Sequence, residues 1–98
     1  MPKLSKIILR ASPDCEAKLD QFVEECIRDG VKLIAVMGHD CSRIEVIIDE
    51  IVVGDGSDES RFDLILTSCH ANESLEDVIE FVTSLTGEYE GEFELVDL

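Results

Sequence analysis

The chain has 98 residues, 45% of them hydrophobic, and a formal net charge of −15. That length suits one domain around one core, and that apolar content excludes disorder as the default state. The charge disfavours nucleic acid and anionic membrane as partners, because an acidic surface repels phosphate.

The acidity is uneven. Residues 1–43 balance seven bases against seven acids, whereas residues 44–98 carry sixteen acids against Arg61 alone. Such a surface suits a basic protein partner, or serves solubility alone. The apolar runs are far shorter than the roughly 20 residues of a membrane helix. No apolar segment leads into a small-residue cleavage site, so a cytoplasmic location is expected. Cys15, Cys26, Cys41 and Cys69 are even in number, which would permit disulfides. An ample aliphatic core has no need of such staples, so reduced thiols are expected.

The first apolar run, residues 6–11, reads as a strand buried on both faces. Ser12 followed by Pro13 reads as a helix cap with proline at the first helical position. Leu19, Phe22, Val23, Cys26 and Ile27 then recur at helical spacing, and Gly30 is a natural stop. Residues 31–37 form the second strand. Residues 41–53 are rich in β-branched side chains, but Ile44, Ile47, Ile48 and Ile51 share a helical face, so the spacing favours helix over strand.

Residues 54–60, Gly54 to Ser60, read as a loop. The third strand is expected over 62–67, ending in a turn of Ser68, Cys69 and His70. Ser74 with Asp77 three residues on forms a variant capping box for a third helix, with Leu75, Val78, Ile79, Val82 and Leu85 buried and Gly87 as its end. Residues 92–96 alternate as a strand with one wet face.

The chain 1–98 therefore reads as a single α/β domain of β-α-β-α-β-α-β pattern. The expected fold is a small three-layer α/β/α sandwich with a four-stranded, mostly parallel sheet in the order 2-1-3-4. That arrangement resembles a truncated flavodoxin-like or Rossmann-like sheet in architecture only. Its ligand crevice would lie near Ser12 and Ser68, where connections leave strands 1 and 3 in opposite directions.

Three strand-to-helix turns carry cysteines, and parallel strands would put all three on one rim. Ser12, His39, Asp40, Cys41, Ser68, Cys69 and His70 are the candidate binding residues of that rim. Helix N-termini favour thiolates at Cys15, Cys41 and Cys69, but Asp14, Glu16, Asp40 and Glu73 oppose them. His39 with Cys41 and Cys69 with His70, converging with Cys15, offer a mixed sulfur and nitrogen set for zinc, without the tight ligand pairs of structural sites. Cys26 lies on a helix stripe, and Cys15 and Cys41 extend such stripes, so core packing is their plainer role.

The usual catalytic templates fail. No glycine-rich phosphate loop follows the first strand, no acidic pair stands where a phospho-acceptor would, and no G-x-S-x-G surrounds Ser68. The acidic loop at 55–59 lacks a calcium-binding pattern. The expected function is a non-catalytic binding or accessory domain with a basic protein partner, and no cofactor. The alternative is a metal- or thiol-dependent site at the carboxyl edge of the sheet. A homodimer through an edge strand, strand 2 in this order, is also considered, with Tyr89 and Phe93 as aromatic anchors.

Overall fold

The structure, a computed structural model, describes residues 5–12, 15–54, 56 and 65–98. In chain order the elements are β1 (Lys6–Arg10), α1 (Glu16–Asp29), β2 (Leu33–Met37), α2 (Cys41–Val53), β3 (Leu66–His70), α3 (Leu75–Ser84) and β4 (Phe93–Asp97). A single 3-10 turn, Gly87–Tyr89, precedes β4. The four strands are all parallel and form one sheet. The three-layer α/β fold expected from the sequence is the fold observed.

The strand order is β3-β2-β1-β4, not 2-1-3-4. Polarity explains the difference. Leu33 to Val36 of β2 are buried on both faces, which suits an interior strand. β3 reads Leu-Thr-Ser-Cys-His and buries only His70 fully, which suits an edge. The expected order would have reversed these two places. Strand 2 is consequently paired on both sides and has no free edge to offer a second copy.

Two cores flank the sheet. Ile7 and Leu9 of β1 and Ile34 and Val36 of β2 point to one face, where α1 supplies Leu19, Phe22 and Val23, and α2 supplies Ile44, Ile48 and Val52. Ile8, Leu33 and Ala35 point to the other face, against Val78 and Val82 of α3. Each of these side chains larger than alanine contributes roughly 1.5–3 kcal/mol by leaving water. Lys6 is a charged exception at 1% exposure. Its Nζ donates to the Val82 carbonyl at 2.8 Å, near the C-terminal end of α3 where a cation is favoured.

Several boundaries follow the sequence closely. α2 spans Cys41–Val53 as the isoleucine spacing predicts, and the Ser74 hydroxyl caps α3 by accepting from the Asp77 N–H at 3.2 Å. α1 starts later than expected, at Glu16 with Cys15 as N-cap. Ser12 does not cap it; its N–H donates to the Leu98 carbonyl at 2.9 Å. Pro13 and Asp14, and most of the loop and early strand expected over 54–64, lie outside the described residues.

Candidate functional site

The largest departure from expectation is the register of β3. Ser68 pairs opposite Ala35, Cys69 opposite Val36 and His70 opposite Met37, so these residues are strand rather than turn. Alternation along a strand then sends Ser68 and His70 to the α3 face, and Thr67 and Cys69 to the α2 face. The expected rim is split by this geometry. Ser12 stands beside β4, on the far side of β1 and β2 from Ser68, so no shared crevice joins them.

The point where connections reverse direction in this order is between β1 and β4. It is closed by the chain itself. Leu98 donates its N–H to the Arg10 carbonyl at 3.1 Å, and the Arg10 guanidinium holds Asp97 through Nε at 2.6 Å and Nη2 at 2.9 Å. That hydrogen bond, with the attraction of opposite charge, lowers the Asp97 pKa from its ordinary value and raises that of Arg10.

The chemistry gathers at β3 instead. On the α2 face, Cys69 forms a disulfide with Cys41, the first residue of α2, with the two Cα atoms 5.3 Å apart. This corrects the expectation of reduced thiols at these two positions. An adequate core removes the need for a staple, but it does not keep two facing cysteines apart. Cys41 is buried and Cys69 is exposed. Cys15 and Cys26 are buried in the same core as Cys41 but take no part in the bond.

On the opposite face, the buried His70 is held from both ring nitrogens. Glu73 Oε2 lies 2.8 Å from Nδ1, and Ser68 Oγ lies 2.9 Å from Nε2. A carboxylate only accepts, so Nδ1 carries a proton. In the neutral ring Nε2 then accepts from the Ser68 hydroxyl. Phe81 of α3 packs its ring against the imidazole at a centroid distance of 4.9 Å. This chain fully satisfies a buried polar ring, which would otherwise destabilise the strand.

Among the described residues, no group of three or more His, Cys, Asp or Glu side chains is placed to hold a metal ion. The proposed zinc set is separated by strand alternation, since His70 points away from the sulfurs. His39 and Asp40 remain exposed in the turn after β2. That turn needs Gly38, whose φ is 117° and whose missing Cβ would stand 3.3 Å from the Ala11 carbonyl oxygen.

Residues outside the expected rim complete the β3 edge. Thr67 Oγ1 donates to Asp49 of α2 at 3.0 Å. Next to it runs a groove of about 340 Å³ between α2 and β3, lined by Glu45, Asp49, Val52, Val53, Ile65, Leu66 and Thr67. The sequence did signal part of this. Glu45 and Asp49 are spaced one helical turn apart, on a flank of α2 away from its buried isoleucines.

Fold and edge together define a small parallel α/β domain with a disulfide-braced outer strand. Residues 1–97 match the model of the family described as domain of unknown function DUF7684, and the chain belongs to that family. No curated protein and no solved structure matches it.

Proposed function

We propose that this protein is a cytoplasmic, non-catalytic binding domain that takes a basic protein segment along the seam between α2 and β3. The groove there carries the reading: an apolar floor of Val52, Val53, Ile65 and Leu66 beside the carboxylates of Glu45 and Asp49. A β-strand edge next to it offers backbone groups to an extended chain. The charge economy of the molecule supports the same partner. Arg10, Arg28 and Arg43 each neutralise one carboxylate of this chain, and the net charge of −15 is carried by carboxylates beyond these pairs. A second copy carrying the same −15 would be repelled, which favours a basic partner over a homodimer.

The test uses a labelled extended peptide of alternating lysine and valine, titrated at low and high salt. Binding at low salt that weakens steeply with ionic strength, and is reduced at least ten-fold by Glu45→Lys, is expected. No binding at either salt, or equal binding by the charge-reversed variant, would overturn the reading. No helix among the described residues is long and apolar enough to cross a membrane.

The Cys41–Cys69 bond favours a second reading, cysteine chemistry at the carboxyl edge. Disulfides of cytosolic proteins are commonly transient and redox-sensing rather than structural.

A further inference from the structure

We infer that Cys41 and Cys69 form a reversible thiol–disulfide site in which Cys69 is the sulfur that exchanges with an outside thiol and Cys41 is the sulfur that resolves. The two positions are chemically unequal. Cys69 lies on an outer strand and is exposed, so an attacking thiolate can reach its Sγ. Cys41 is 1% exposed, packed in the core between α1, α2 and the sheet, and closed to an incoming molecule.

A small-molecule thiolate, such as glutathione, attacks Cys69 Sγ and forms a new S–S bond to it. The Cys41–Cys69 bond breaks, and its electron pair leaves on Cys41 Sγ. A second thiolate then attacks the glutathione sulfur, releasing glutathione disulfide and the Cys69 thiolate. Both protein thiolates take protons from solvent, so one protein disulfide is reduced as two thiols become one disulfide. Oxidation runs the same steps backwards, with the Cys41 thiolate expelling glutathione from Cys69.

Nothing in this step requires the groove to bind anything. Cys15 and Cys26 are not in the bond and are both buried, closed to an outside thiol.

The experiment uses the intact, native protein. Titration with glutathione buffers of graded composition, followed by acid quench, thiol alkylation and mass spectrometry, should show two thiols interconverting reversibly with one disulfide. In Cys41→Ser, oxidised glutathione should add once, at Cys69. In Cys69→Ser, addition at Cys41 should be at least ten-fold slower. If either variant fails to fold, partial alkylation of the reduced wild-type protein should label Cys69 before Cys41. Four thiols persisting in oxidised glutathione would overturn the proposal. So would a bond that yields only after denaturation, or equal reactivity at the two cysteines.

Discussion

The two outer strands of the sheet make an instructive pair. Each exposes one leucine, Leu66 at 43% and Leu95 at 40%, so apolar exposure does not distinguish them. What differs is how each is attached. β4 is held by its ladder to β1, by the backbone bonds of Leu98 and Ser12, and by one exposed ion pair, Arg10 with Asp97. β3 has its own ladder to β2, and whereas β4 packs apolar Val96 and Phe93 against the two cores, β3 reaches both layers mainly through polar and covalent contacts. Cys69 and Thr67 grip α2, while His70 leans on Phe81 of α3. A strand with few aliphatic residues has little apolar area to bury, so specific polar and covalent contacts take over that role.

Reduction of the disulfide should give the largest effect. Closing a loop across 28 positions stabilises by between about 3 and 4 kcal/mol in the chain-entropy account. The Cys41→Ser/Cys69→Ser double variant should lose about that much in urea unfolding, and a loss below about 1 kcal/mol would erase the contrast between the edges. His70→Ala comes next. It removes a buried ring with two partners and should cost about 2–3 kcal/mol, with hydrogen exchange rising first in β3 and leaving β4 unchanged. Equal loosening of both strands would contradict the separation drawn here.

Thr67→Val is a smaller perturbation, expected at about 0.5–1 kcal/mol, because its hydroxyl bond to Asp49 is only partly shielded from water. The smallest effect belongs to β4. The Asp97 carboxyl has its pKa lowered by the Arg10 hydrogen bond, so the stability it contributes is present above the ordinary carboxylate pKa. It fades as pH falls through the depressed folded value. Carbon-detected NMR titration should place the Asp97 midpoint below that of an exposed model aspartate, and Arg10→Gln should return it to the ordinary value.

Much of the fold was legible because it depends on periodicity. The isoleucine spacing of α2 and the serine cap of α3 are local patterns, and both appear where the residues place them. Strand order was missed because crossover rules alone leave several orders open. The deciding signal was nonetheless present in the contrast between Leu33-Ile34-Ala35-Val36 and Thr67-Ser68-Cys69-His70. The former is apolar on both faces and belongs inside; the latter is polar and belongs outside.

The site was legible only in part. Cys41, Ser68, Cys69 and His70 were all singled out, but reading Ser68-Cys69-His70 as a turn hid how alternation sorts them. With strand geometry, Cys69 meets Cys41 while Ser68 and His70 face the other way to meet each other and Glu73. The groove lay further from view, since it needs α2 beside β3, a neighbourhood that the expected strand order left undefined.

The Cys41–Cys69 bridge also changes what counts as one molecule. Any backbone cut in the connection between Val53 and Leu66 would leave Cys41 on one fragment and Cys69 on the other. In the oxidised state the two pieces would still migrate together under denaturing conditions, and only a reductant would part them. The bridge is thus a covalent bypass around that connection, and its redox state decides whether a nick there is silent or severing.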